Sequence, residues 1–169
     1  SSIDPSQPTT IDELHAVAQN WFDYEGSIER NTYRWFMVDG DGNLIEDITE
    51  TTAIYPSAKT ARGDLFQVEI TPYNDYGDGD PMLSSVVEVI NTPPSIPTVF
   101  IEPSSPQPTD SLYCVGQDSI DADNDLITYE YAWYKSGVDL GVYVNVLDSS
   151  EDSNFISIHF KSNKKNNLP

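Results

Sequence analysis

The sequence predicts an all-β protein made of two tandem β-sandwiches, the second one incomplete. Three observations carry this expectation. A stretch near the start recurs at a fixed offset of 98 residues, short apolar–polar alternations are cut by Gly, Pro and Asp turns, and a proline-rich joint separates the copies.

The repeat comes first because it sets the architecture. SIDPSQPTTIDELHAVAQN, from Ser2, lies without a gap on FIEPSSPQPTDSLYCVGQD, from Phe100. Ile3 meets Ile101, Pro5 meets Pro103, Asp12 meets Asp110, Leu14 meets Leu112 and Gln19 meets Gln117. The register continues through Asp23 on Asp121, Tyr33 on Tyr131 and Trp35 on Trp133, with 11 of the 34 positions from Ile3 to Phe36 identical. Between the copies, INTPPSIPTV (residues 90–99) holds three prolines in five residues, which favour an extended, semi-rigid connector. The expected division is residues 1–92, a linker at 93–98 and a second unit at 99–169.

Each copy then reads as strands. FQVEIT (66–71) alternates strictly, LHAVA does so in part, and YRWFMV (33–38) is aromatic and β-branched before the turn DGDGN. Alternation places Leu14, Ala16 and Ala18 inward, with Tyr33, Trp35 and Met37, and with Phe66, Val68 and Ile70. ARGD and NDYGDGDP supply further turns. Short strands at this spacing argue for sandwiches.

Composition excludes several classes. Of 169 residues 38% are hydrophobic, enough for compact cores, while 28 acids against 8 Lys plus Arg give a net charge of −20. Phosphate recognition needs clustered cations, so nucleic acid is excluded as a partner; an acidic surface instead attracts divalent cations. No apolar run is long enough to insert in a membrane as a helix. No basic-then-apolar leader opens the chain, so it is expected to begin after processing or to be a piece of a longer protein. The single cysteine, Cys114, has no internal disulfide partner.

IEPSSPQPTDSLYC, DADNDLITYEYAWYK, GDLFQVEITPYNDYGDGD and the joint NTPPSIPTV resemble tandem immunoglobulin-like Greek-key repeats, close to PKD and cadherin-like modules of bacterial and archaeal secreted or surface proteins. The resemblance implies a core built on Trp35 and Trp133, with Ala16 facing Val68 where relatives often carry a cysteine pair. In the second copy Cys114 takes the first of those places and no second cysteine exists. The ending SNFISIHFKSNKKNNLP does not align with GDLFQVEITPYN. Three readings of it stay open: a truncated or frame-disturbed end, a sandwich completed by a partner's strand, and a shortened but self-sufficient unit.

Carboxylates are the candidate chemistry. Asp121, Asp123 and Asp125 alternate in one loop just after Asp118, a spacing able to give calcium several hard oxygens. Their copy-one equivalents are Asp23, Glu25 and Ser27. Family geometry puts Asp121–Asp125 at the joint, together with Asp39, Asp41 and Asn43, and groups Asp23 and Glu25 with Asp75, Asp78 and Asp80 at the outer end. Structural calcium stiffening the joints between neighbouring modules is the expectation. DGDGNLIEDITE imitates an EF-hand loop, but Leu44 stands where glycine is needed, and a hairpin is preferred. Trp21, Phe22 and Tyr24 form a candidate glycan- or protein-binding cluster, against the simpler role of capping the sandwich end. Arg62-Gly63-Asp64 reads as a turn before a strand.

His15 and His159 lack a nucleophile or metal-ligand spacing, and no paired carboxylates across a cleft are indicated, so no catalysis is expected. The expected function is a secreted or cell-surface spacer or stalk linking neighbouring repeats. The alternatives are a glycan- or protein-binding module and an accessory domain of a secreted hydrolase.

Overall fold

Alternating side chains leave each strand with one apolar face, which must be covered by a second sheet. The computed structural model meets that requirement twice. It describes residues 1–19, 22, 26, 28 and 30–147, and the backbone of 156–164. The chain divides into two compact units, Ser1–Thr92 and Pro93–Pro169.

Unit 1 contains β1 (Ser2–Asp4), β2 (Leu14–Val17), β3 (Arg30–Val38), β4 (Leu44–Asp47), β5 (Ile54–Tyr55), β6 (Leu65–Asn74), β7 (Gly77–Asp78), β8 (Met82–Leu83) and β9 (Val87–Glu88), with one 3-10 turn at Ser57–Lys59. One sheet has the order β1-β2-β5, the other β4-β3-β6-β7, and β8 and β9 also pair with β6. Every pairing between these strands is antiparallel. The chain crosses between sheets after β2, returns for β5, and crosses again to β6. The result is an all-β sandwich.

Ile3, Leu14 and Tyr55 from the first sheet meet Trp35, Phe66, Val68, Ile70 and Val87 from the second in a single core, with Ala16, Ala18 and Tyr33 packed at its margin. Tyr55 sits between Trp35 and Phe66, with ring centroids 5.4 and 4.9 Å away and tilted planes, a favourable aromatic arrangement. Met37 departs from the inward expectation: it is 36% exposed, although its backbone pairs with that of the fully buried Phe66. Phe36, on the opposite face, is buried instead, with the Arg34 guanidinium over its ring. Arg34 also forks onto Glu46 and reaches Glu69, tying β4, β3 and β6 together on the outer face.

Unit 2 contains β10 (Thr98–Glu102), β11 (Leu112–Gln117), β12 (Ile127–Lys135), β13 (Val138–Asp139), β14 (Val146–Leu147) and β15 (Ile156–Lys164). Its sheets have the orders β10-β11-β14 and β13-β12-β15. Leu112, Cys114, Trp133 and Leu147 form the core, with Val99, Ile101, Tyr131, Leu140 and Val142 around it.

The two units repeat one another bond by bond. Trp35 Nε1 donates to the carbonyl of Thr52 at 2.9 Å, and Trp133 Nε1 to that of Val144 at 2.8 Å. The Ala16 N–H donates to Ala53 O at 2.7 Å, and the Cys114 N–H to Asn145 O at 2.8 Å. Asp12 accepts from the Thr9 N–H, and Asp110 from the Gln107 N–H, both at 2.8 Å.

Backbone pairing also changes the reading of the C-terminal stretch. Trp35 pairs with Val68 and Tyr33 with Ile70; Trp133 pairs with Ile158 and Tyr131 with Phe160. β15 therefore holds the sheet position of β6. A gapless comparison misses this because the connection after the tryptophan is shorter: 35 and 133 correspond, then 52 and 144, then 68 and 158. The alternation Ile156, Ile158, Phe160 was the available signal. The register position opposite Trp133 holds isoleucine, so Cys114 has no cysteine across the core.

Replacing Trp35 with Phe keeps most of the ring but leaves the Thr52 carbonyl without its donor. We expect Trp35→Phe to destabilise unit 1, and Trp133→Phe unit 2, by about 2–3 kcal/mol in urea unfolding. A wild-type midpoint in either variant would contradict the shared anchor.

Candidate metal site

The loop between β11 and β12 leaves its strand at Asp118, which takes a left-handed φ of 65°, and turns again at Asn124, φ 59°. Short polar side chains tolerate that conformation better than branched ones. Asp121 organises the turn: its Oδ1 accepts the N–H groups of Asp123 and Asp125, both at 2.9 Å. Its backbone carbonyl accepts the Asn124 N–H at 3.3 Å.

These bonds consume one oxygen of Asp121. The residue is only 8% exposed, and its other oxygen, Oδ2, is buried with no hydrogen-bond partner among the described residues. The Ser119 hydroxyl oxygen, in the same loop, is likewise buried and without a partner among the described residues. Buried polar atoms are almost always satisfied, so two orphans in one loop need an explanation. Ligand atoms of Asp121, Asp123 and Asp125 all lie within 4.8 Å of one another. Oxygens about 2.3–2.6 Å from one calcium ion sit at most about 5 Å apart, so the three carboxylates fit one coordination sphere.

The loop is tied to the proline-rich segment of its own unit. Ile120 N–H donates to Ser95 Oγ at 2.7 Å, and Ser95 N–H donates to Ile120 O at 2.8 Å. The residue next to Asp121 is thereby clamped to the linker.

The other predicted ligands behave differently. Asp39 lies at the head of the β3–β4 hairpin loop, which displaces the EF-hand reading. Its Oδ1 accepts the N–H groups of Asp41 at 2.9 Å and Asn43 at 2.8 Å, and the Asn43 amide reaches its Oδ2 at 3.0 Å. The Asn43 side chain, then its backbone N–H, hold the Asp39 carboxyl below the usual range. Asp39 and Asp41 belong to one unit and Asp121, Asp123 and Asp125 to the other.

At the outer cluster Asp75 pairs with Arg30, and Asp78 and Asp80 are exposed. Among the described residues, Asp75, Asp78 and Asp80 form no group of three comparable to Asp121, Asp123 and Asp125. Asp23 and Glu25 lie outside the described residues, as do Trp21 and Tyr24; Phe22 is 73% exposed.

Other polar residues are accounted for by the fold. Arg62-Gly63-Asp64 ties its turn to the segment just after β9: Gly63 donates to Val89 O, Val89 donates to Asp64 O, and Arg62 bonds Asn91. Gly63 has φ 90°, which favours glycine there. His15 lies 3.9 Å from Glu13, and the backbone of His159 pairs with Ala132. Cys114 is buried and burial pushes its thiol up, which makes it a poor nucleophile.

Sequence reasoning missed one cluster, around Asp47. Its carboxylate accepts from the Thr49 hydroxyl at 2.6 Å, the Thr49 N–H at 2.9 Å, Tyr55 OH at 3.0 Å and Lys59 Nζ at 3.1 Å. Lys59 also pairs with Glu50 at 2.6 Å. The Thr49 bonds, then Lys59, hold the Asp47 carboxyl far below its usual range, while burial, then Asp47, push Tyr55 up to about 12. Asp47 and Lys59 are thus firmly ionised, and the cluster fastens β4 to β5. No periodicity marks it, since the partners come from the turns around two strands.

No known family's profile matches the sequence, and no curated protein does. Among solved structures, the chain is similar to the crystal structure of chicken CNTN1 FN1-FN3 domains, at 13% identity and a TM-score of 0.41. That likeness covers 98% of this chain and 56% of the other, so the chain spans little more than half of that structure's length. The sandwich assignment rests on the strand pairing and cores described above. Among the described residues, no helix is long and apolar enough to cross a membrane.

The lowered Asp47 carboxyl gives a pH prediction. A group whose native value falls below its ordinary 3.8 adds stability above that pH and loses it as pH falls further. We expect unit 1 to lose urea resistance between about pH 4 and about pH 2, and Asp47→Asn to flatten that loss. An equal acid loss in the variant would reject the role.

Proposed function

We propose that the chain is a non-catalytic, extracellular-type structural segment, a spacer or stalk that carries neighbouring domains and is stiffened by calcium. The observation that carries this reading is the second use of one framework. Both units build the same sandwich about a bonded tryptophan, and their conserved interior bonds serve packing. Repetition of a self-supporting unit is how a chain gains reach.

Calcium belongs to the same reading. The net charge of −20 favours divalent cations around the molecule, and loop 121–125 offers three carboxylates and an unmatched buried oxygen. Asp121, Asp123 and Asp125 would hold the ion, with Ser119 Oγ near at hand in sequence. An ion there supplies positive charge that offsets carboxylate repulsion. Because Ile120 is clamped to Ser95, ordering this loop restrains the proline-rich segment as well.

Millimolar calcium is expected to raise the unfolding temperature of unit 2 by several degrees, measured by calorimetry with and without chelator. An unchanged temperature removes the calcium part of the reading. For the spacer itself, residues 1–169 are replaced, in the protein that carries them, by an unrelated pair of sandwiches of equal length. Retention of surface display or adhesion is expected; its loss would show that these units make contacts of their own.

A further inference from the structure

Loops 39–43 and 121–125 are the same device built twice, in different units and at non-equivalent places in the repeat. Each opens with an aspartate whose Oδ1 accepts the N–H groups of the third and fifth residues: Asp41 and Asn43 in one, Asp123 and Asp125 in the other. In each, the fourth residue takes positive φ, Gly42 at 84° and Asn124 at 59°. Its N–H bonds the carbonyl of the first residue, at 3.0 and 3.3 Å. The third residue is an acid in both.

They part at the fifth residue. Asn43 turns its amide onto Oδ2 of Asp39 at 3.0 Å, so both oxygens of that carboxylate are bonded. Asp125 puts a carboxylate at the equivalent position of its loop, and a carboxylate has no hydrogen to give. The corresponding oxygen, Oδ2 of Asp121, is buried and without a partner among the described residues. In one loop a side-chain amide supplies positive hydrogen to the second oxygen. In the other, residue 125 has no such hydrogen, and an external cation can take that role where ligand oxygens of Asp121, Asp123 and Asp125 lie within 4.8 Å of one another.

We infer that the fifth residue is the selector: Asp125 makes residues 121–125 a calcium site, whereas Asn43 closes residues 39–43 on themselves. This rests on the calcium reading above and assigns the residue that decides it. Exchanging the two side-chain types should exchange the two behaviours.

The test uses the whole chain, with calcium alone titrated by calorimetry and terbium luminescence as a second probe. Wild type is expected to bind one ion. Asp125→Asn should weaken binding at least tenfold, and without calcium it should unfold at the same or a higher temperature than wild type, because the new amide caps Oδ2 of Asp121. A variant that merely damaged the loop would unfold earlier. Asn43→Asp should add a second ion per chain and lower the calcium-free stability of unit 1. Wild-type affinity in Asp125→Asn, an earlier calcium-free transition there, or a single ion in Asn43→Asp each overturns the selector while the calcium reading stands. Absence of calcium binding in wild type overturns the earlier reading and the selector together.

Discussion

Each sandwich depends on a tryptophan whose one polar hydrogen must be matched before the ring can be buried. Trp35 and Trp133 are fully enclosed, and each indole N–H reaches a backbone carbonyl just ahead of the strand that completes the opposite sheet. The bond spans the interior at the place where the two sheets are sewn together. Apolar burial supplies the drive to associate; the indole bond selects one alignment of the sheets. The neighbouring residue can then vary. Tyr55 packs tilted against Trp35, while Leu147 takes the same register position in unit 2, opposite Leu112 as Tyr55 is opposite Leu14.

Because that anchor involves few atoms, the chain between anchor points can shorten without changing the fold. Unit 1 uses a five-residue loop after β3; unit 2 turns at Ser136 and Gly137, both with positive φ, as a two-residue hairpin requires. Residues are lost from the connection, yet β15 pairs with β12 in the register that β6 keeps with β3. Register is held by the inward set, since a slip of one residue would turn every apolar side chain to the wrong face.

The acidic surface is organised by similar economy. Carboxylates in turns accept backbone N–H groups, from the head of the turn at Asp39 and Asp121 and from its far end, three residues after the donor, at Asp12, Asp64 and Asp110. Most of these acids are structural parts of turns, which is why a count of acids overstates the number of ion sites. What separates loop 121–125 is a buried oxygen that the turn itself does not satisfy.

The sequence by itself determined the duplication, the inner faces of the longer strands and the gathering of three acids in one loop. Leu14, Trp35, Phe66, Val68 and Ile70 were legible because a period of two is a property of the strand alone, and Asp121, Asp123 and Asp125 because they are adjacent in the chain. Met37 was placed inward yet is part-exposed, because alternation gives the face a side chain lies on and not how fully that face is covered. Only the tertiary structure decided that Thr52 and Val144 receive the indole hydrogens, that residues 156–164 stand where β6 stands, and that Asp47 gathers Tyr55 and Lys59. It alone distinguished Asp121 from Asp39, two aspartates in near-identical local patterns. The reason is that residue types such as Asn43 and Asp125 fix which groups a loop has to offer, whereas the burial of a given oxygen and the atom that reaches it belong to its three-dimensional surroundings.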